Sequence, residues 1–409
     1  MIHRILDRTS QRFKIDLSYI LKGGFWLSIT QMIALIANVI LAVAFANLVS
    51  PETYGQYRFV IAMAAMLSML TFTGMGTSII QAVSKGLEGS LREGVRTNLI
   101  WSLGMVAASL IIAIYYYLND NYYLTLAFII IAFANPIISS FSLYLSFLNG
   151  KKDFRRDTIF ASIRKVVLVT VITLVLFTTE NPLYIIFAYF LSEAFFSSLF
   201  YLLTLKYYRP NTATDLSTLN FSKHLSFINI FKKLGENLDK VLIFQQLNAG
   251  QLAMYTFACA PIIEIGGLER ILANLALPKL SQRSFIEIKR TLPRKVLLLT
   301  LLTIPIIVTY IAMAPYLFSI LFPQYISAVP YSQFYALILI FTPGLLFNSA
   351  LTAHKKLKVL YILKIVPPII KIIAILILLP FYQIWGVLIG LFIFQGFKYI
   401  LLIYFFYKS

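Results

Sequence analysis

The sequence predicts an all-α membrane protein with about twelve transmembrane helices, and three observations predict it. Of the 409 residues, 59% are hydrophobic and 12% charged, with a mean hydropathy of +0.82, which leaves too little polar surface to cover a water-soluble globule. Apolar runs of about 20 residues, enough to cross a hydrocarbon core of about 30 Å, follow one another from Gly23 to Tyr407. Cations fall in every second break between these runs and are missing from the others.

The first run, 23–48, carries Ser28, Gln31 and Asn38 along one face, suited to interhelical hydrogen bonds or to lining a passage. "SPETYG" stops it. The second, 56–80, leads to a basic break with Lys85, Arg92 and Arg96. The third and fourth, 97–118 and 123–148, are parted by "LNDN", and Asn135-Pro136 interrupts the fourth. Lys151, Lys152, Arg155 and Arg156 follow. The fifth and sixth, 158–179 and 184–205, are parted by "TENP" and lead to Lys206, Arg209 and Lys223. The seventh and eighth, 224–247 and 252–278, are parted by "LNAG" and lead to Lys279, Arg283, Lys289, Arg290 and Arg294. The ninth and tenth, 295–320 and 330–352, turn at "FPQY" and lead to Lys355, Lys356 and Lys358. The eleventh and twelfth, 359–379 and 385–407, close the series, with Pro367-Pro368 inside the eleventh. Such polar, Gly- and Pro-containing breaks are turn signals.

The odd-numbered breaks hold Glu52, Asp120 and Glu180 and no cation. By the positive-inside rule, both termini and the even breaks are expected to be cytoplasmic, in a multi-pass protein of the cell membrane. The opening "MIHRILDRTSQRFKID" is basic and amphipathic and lacks the apolar core of a signal peptide. Six spans followed by six more, with the same starting side, predict parallel repeats of residues 1–208 and 209–409. "SFLNGKKDFR" (146–155) echoes "SALTAHKKLK" (349–358), and "YRF" (57–59) echoes "YTF" (255–257), at corresponding places.

The chain has 35 Lys and Arg against 16 Asp and Glu, a formal charge of +19. Most of the excess fits orientation and attraction to anionic membrane lipids. Charges inside spans are more informative, because each costs about 2.5–3.5 kcal/mol on insertion scales and therefore normally faces a bundle interior or wet cavity. In "KKLGENLDKV" (232–241), Lys233, Glu236 and Lys240 share a helical face with Ser226 and Asn229, and Asp239 flanks it. Glu236 and Lys240 stand in the favourable i,i+4 order. The eighth span brings Glu264, Glu269 and Arg270, the sixth Glu193, the second Arg58 and the twelfth Lys398. In the eleventh, Tyr361, Lys364 and Lys371 share a face, and Lys371 lies near mid-depth with no acid in its own span.

A cation-weighted interior suits an anionic substrate. Lys233, Lys240, Arg270, Lys371, Lys398 and Arg58 are the candidates to bind it. Glu236, Asp239, Glu264 and Glu193 are candidates to couple a proton or sodium ion, and Pro136, Pro367 and Pro368 to act as gates. The competing reading makes some of these snorkelling side chains or structural ion pairs. Nothing points to a catalytic centre, a cofactor, a metal or nucleic acid. Cys259 is alone, His3, His224 and His354 are scattered, and no P-loop or nucleophile elbow occurs.

"LVSPETYGQYRF" (48–59) and "FTGMGTSIIQAVSKG" (72–86) resemble the front end of the polysaccharide flippases, the O-antigen and teichoic-acid branch of the multidrug/oligosaccharidyl-lipid/polysaccharide exporter superfamily. Leu48, Pro51, Tyr54, Gly55, Tyr57, Gly74 and Gly76 carry the pattern. "NLDKVLIFQQLNAGQLAMYTFA" (237–258), "ANLALPKLSQ" (273–282) and "LFPQYISAVPYSQ" (321–333) extend it over most of the chain. The resemblance implies two MATE-like six-helix lobes that flip an undecaprenyl-diphosphate-linked oligosaccharide between leaflets by alternating access. It also implies that Asp239-Lys240 matches an acid–base pair of the seventh helix, and that pathway glycosyltransferases or a glycan polymerase are partners. An ion-coupled multidrug exporter of the same fold is the alternative. A membrane-embedded glycan polymerase or ligase fits less well, because the cation-free breaks leave no room for an extramembrane site.

Overall fold

A computed structural model describes the backbone of residues 17–408 except positions 215, 282 and 355. It describes no side chain at 17–24, 27, 216–221, 224, 225, 228, 268–275, 277–279, 281 and 357. The basic opening segment and the side chains of Glu269 and Arg270 therefore lie outside what is described. Among those residues all regular structure is helical. In chain order the helices are α1 (Leu17–Leu48), α2 (Pro51–Leu67), α3 (Met75–Ser84), α4 (Ser90–Leu118), α5 (Tyr122–Phe141), α6 (Leu143–Gly150) and α7 (Phe154–Thr178). There follow α8 (Pro182–Tyr208), α9 (Leu216–Gln246), α10 (Ala249–Ser281), α11 (Phe285–Leu321), α12 (Val329–Ala336), α13 (Leu345–Ala353) and α14 (Leu357–Lys408).

Eight of the described helical stretches are long and apolar enough to cross a membrane, or nine if the interrupted pair α2 and α3 counts as one. Helix α14 is 52 residues long, about twice what a bilayer requires, and Gln383 breaks it with φ 50° and ψ −130°. Helices α9 and α10 are not among them. The sequence count of twelve comes from reading α9 and α10 as spans and α14 as two. Large apolar side chains such as Leu118, Ile320 and Phe381 are more than 70% exposed, a surface that water would penalise and lipid does not.

Local chemistry explains the helix ends. Ser50 caps α2, its Oγ accepting from the Thr53 N–H at 3.2 Å, and Pro51 supplies a preset first turn. Asn121 and Ser284 cap α5 and α11 in the same way. Asp120, Lys152 and Arg209 take positive φ just past helix ends, the left-handed position that stops a helix. The second span, expected to run unbroken over 56–80, is interrupted by a 3-10 turn at Ser68–Leu70 and by "TFTG". A break there must satisfy its own backbone groups. Asn98 Oδ1 accepts from the Phe72 N–H at 2.9 Å, while Ser226 Oγ accepts from the Gly74 N–H at 2.9 Å. Asn98 is in turn held by Ser140 at 3.1 Å. In the tenth span, eight residues, Leu337–Gly344, wind as a 3-10 helix between α12 and α13.

The chain packs into two compact units. Unit 1 comprises residues 1–42, 70–178 and 183–226, and unit 2 comprises 43–69, 179–182 and 227–409. In unit 1, Phe72, Met75, Ile79, Val83, Leu91, Val95, Leu143 and Phe147 form a buried core. Unit 2 has a core around Ile288, Leu292, Val296, Phe347, Leu351 and Phe406. A second packing centre in unit 2 joins α2 to α10. Tyr54 meets Phe257 at 4.8 Å, and Phe257 stacks on Tyr325 at 4.0 Å. A β-carbon on Gly55 would sit 1.8 Å from the Ala249 carbonyl oxygen, so only glycine fits this crossing. Tyr54, Gly55 and Tyr57 of the sequence motif thus serve helix packing.

Candidate functional site

A buried polar cluster lies in unit 2, on α9, α10 and α14. Gly235 and Asp239 are one turn apart on a single face of α9, as Pro368 and Lys371 are on α14. A β-carbon on Gly235 would stand 2.9 Å from the Pro368 β-carbon. Having no side chain there, α9 admits the proline and brings Lys371 within reach of the next turn. Lys371 Nζ donates to the Gly235 carbonyl at 2.5 Å and lies 3.5 Å from Asp239 Oδ1. Asp239 Oδ2 accepts from the Tyr255 hydroxyl of α10 at 2.5 Å. Lys371 is 6% exposed and Asp239 4%. Both charges are out of solvent, where each requires the other.

Around this pair stand further cations. Lys240, half-buried, donates to the Glu236 carbonyl at 2.8 Å and to Asn237 Oδ1 at 3.5 Å. The expected side-chain pair of Glu236 with Lys240 does not form, because the lysine turns back to the backbone one turn below. Glu236 is instead 54% exposed and faces Lys232 at 3.8 Å. Arg58 on α2 has its guanidinium carbon 6.0 Å from the centre of the Tyr54 ring, and its buried Nε has no hydrogen-bond partner. Phe59, its neighbour, stacks on Phe244 of α9 at 3.9 Å.

The other candidates are spread out. Lys233 is half-buried, with its carbonyl accepting from Asn237. Glu264 and Lys398 are half-buried on α10 and α14. Glu193, in unit 1, faces Arg164 at 3.8 Å. Helix α5 continues through Pro136 to Phe141, and α14 continues through Pro367 and Pro368. The acid that meets Lys371 comes from the seventh span. Sequence reasoning did not single out Gly235, Tyr255 and Arg164. A glycine inside a charged helix is itself a signal of close approach, Tyr255 lies in the "YTF" echo, and the test of charge inside a span also finds Arg164.

The fold is that of a multi-pass helical membrane protein. Solved structures with the same fold include an inward-facing multidrug resistance MATE family transporter of the MOP superfamily. It has a TM-score of 0.61 and 16% identity, over 94% of this chain and 97% of that one. The MATE multidrug transporter DinF-BH has a TM-score of 0.63 and 12% identity, over 96% of each chain. No curated protein matches the chain. A family model, "Polysaccharide biosynthesis protein", matches residues 20–269, and the chain belongs to that family.

Proposed function

We propose that this protein is a flippase that moves an undecaprenyl-diphosphate-linked oligosaccharide from the inner to the outer leaflet of the cytoplasmic membrane. Two six-helix lobes, residues 1–208 and 209–409, would alternate access between the two sides. One joint observation carries this reading, a polysaccharide biosynthesis family on a transporter fold. Connections between the described helices are as short as 209–215 or shorter, which gives a glycosyltransferase or polymerase site little to be built from. Moving a polysaccharide precursor is the step that remains. Cations at membrane depth favour a diphosphate headgroup over a cationic drug. Protons or sodium ions would drive the return step, with Glu236, Asp239, Glu264 and Glu193 the candidate acids for it.

The solved neighbours are multidrug transporters, so drug export is the second reading. Purified protein in liposomes separates the two. Labelled undecaprenyl-diphosphate oligosaccharide should cross the bilayer faster than in protein-free vesicles. Unchanged crossing, together with ion-driven efflux of a cationic dye, would replace the flippase by a drug exporter.

A further inference from the structure

We propose that the end of α8, in unit 1, holds an anionic glycerophospholipid of the membrane, with its phosphate between Lys206 and Arg209 and an acyl chain along the helix. Such a lipid would sit on the lipid-facing surface of α8, whichever cargo the protein carries.

Tyr184, Phe187, Leu191, Phe195 and Leu202 are each more than half exposed. At 3.6 residues per turn they fall within an arc of about 80°, so a single apolar stripe runs along α8. Acyl chains cover such a stripe without the penalty that water imposes. Lys206 continues it one turn beyond Leu202, and Arg209 follows just past the helix end.

Where the stripe ends, Leu203, Lys206, Tyr207 and Arg209 line an open cavity of about 630 Å³. The side chains of Lys206 and Arg209 have no ion-pair or hydrogen-bond partner among the described residues. The acids that meet neighbouring residues are already engaged. Asp153 is held by Arg156 and Tyr208, and Glu88, whose N–H donates to Asn211 Oδ1 at 3.1 Å, is held by Lys151. Tyr207 is a braced wall, because the Arg156 guanidinium lies 3.5 Å from its ring centre and is itself held by Asp153 and by Tyr208 at 2.9 Å. A cation that only reaches for water needs neither a cavity nor a braced ring. Charge and shape together choose the occupant. An anionic phosphodiester accepts charge-assisted hydrogen bonds from both cations, whereas a zwitterionic headgroup brings a third positive charge to them. A free anion would meet the cations and leave Leu203 and the stripe uncovered.

The test is native mass spectrometry of the full chain, purified in detergent and given phosphatidylglycerol or phosphatidylethanolamine at equal concentration, with and without inorganic phosphate. Wild type should retain phosphatidylglycerol more firmly than phosphatidylethanolamine, and inorganic phosphate should not displace it. Lys206→Gln and Arg209→Gln should each weaken retention about tenfold, the scale of one charge-assisted hydrogen bond, and Arg209→Lys should weaken it less. Lys85→Gln, which removes an exposed cation from another basic break, should leave it unchanged. Thermal melts in the same detergent check that each variant is folded. Equal retention by wild type and both glutamine variants overturns the site and leaves the two cations serving only the carbonyl end of α8. A loss from Lys85→Gln as large as that from Lys206→Gln overturns it in favour of diffuse attraction to the whole basic face. Equal retention of the two lipids overturns the choice of an anionic headgroup, and displacement by inorganic phosphate overturns the assignment to a lipid.

Discussion

Two ion pairs of the same chemistry sit in very different surroundings. In unit 1, Arg156 Nη1 lies 2.5 Å from Asp153 Oδ2, and the two side chains are 32% and 22% exposed. In unit 2, Lys371 and Asp239 are farther apart, at 3.5 Å, and 8% and 5% exposed. The shorter pair is also better furnished. Tyr208 donates to Asp153, Arg156 donates to Tyr208 at 2.9 Å, and the guanidinium lies 3.5 Å from the centre of the Tyr207 ring. Distance would rank the first pair as stronger. Burial reverses the consequence of breaking them, because water replaces a lost partner in the first pair and nothing replaces it in the second.

The largest effect should therefore come from Asp239→Leu or Lys371→Met alone, each leaving a buried charge unmatched at a cost of about 3–5 kcal/mol. Thermal unfolding in detergent measures it, and the double variant should recover most of the loss. Single losses no greater than that of Asp153→Asn would break the comparison. Gly235→Ala comes next, since its new methyl group must displace Pro368 or α9. Overpacking of this kind costs about 1–3 kcal/mol, and a melt shift within error would show that the crossing is loose.

Asp153→Asn should cost under about 1 kcal/mol, and its loss should depend on pH. Burial pushes the Asp153 carboxyl up, but the Tyr208 hydrogen bond, the Arg156 N–H and the Arg156 guanidinium together outweigh it and hold the group below its ordinary value. A lowered folded value means stability that is present above the ordinary carboxylate value of 3.8 and fades as the pH falls through the folded one. Melts of wild type and Asp153→Asn should converge in that acidic range and differ above it. Glu236→Gln, at an exposed i,i+4 pair, should change stability least, by a few tenths of a kcal/mol. A loss from Glu236→Gln as large as that from Asp239→Leu would move the weight of the cluster to its exposed edge.

Much of the fold was legible because the bilayer imposes one dominant constraint, and span length reports it without reference to tertiary contacts. Interruptions were less legible. Pro136, Pro367 and Pro368 are the residues most associated with breaks, yet α5 and α14 run through them. The backbone departs from the α-helix at Ser68–Leu70, at Leu337–Gly344 and at Gln383, and beside the first of these Asn98 and Ser226 of other helices satisfy the freed backbone groups. The site was legible as a set of residues and illegible as a set of pairs. Asp239 and Lys371 stand far apart in the chain, and no spacing rule joins them. The absence of an acid near Lys371 in its own span did say that the partner had to come from another helix.

The 3-10 stretch Leu337–Gly344 alters how the rest of its span must be read. At 2.0 Å and 120° per residue, against 1.5 Å and 100° for an α-helix, eight residues add about 4 Å of length and about 160° of rotation. A helical wheel drawn at constant pitch from Val329 onward would assign Asn348 and Ser349 to nearly the opposite side of the rod. Rewinding this one segment would therefore swing the far end of the span through almost half a revolution without exchanging a single residue, a crankshaft folded into the polypeptide itself.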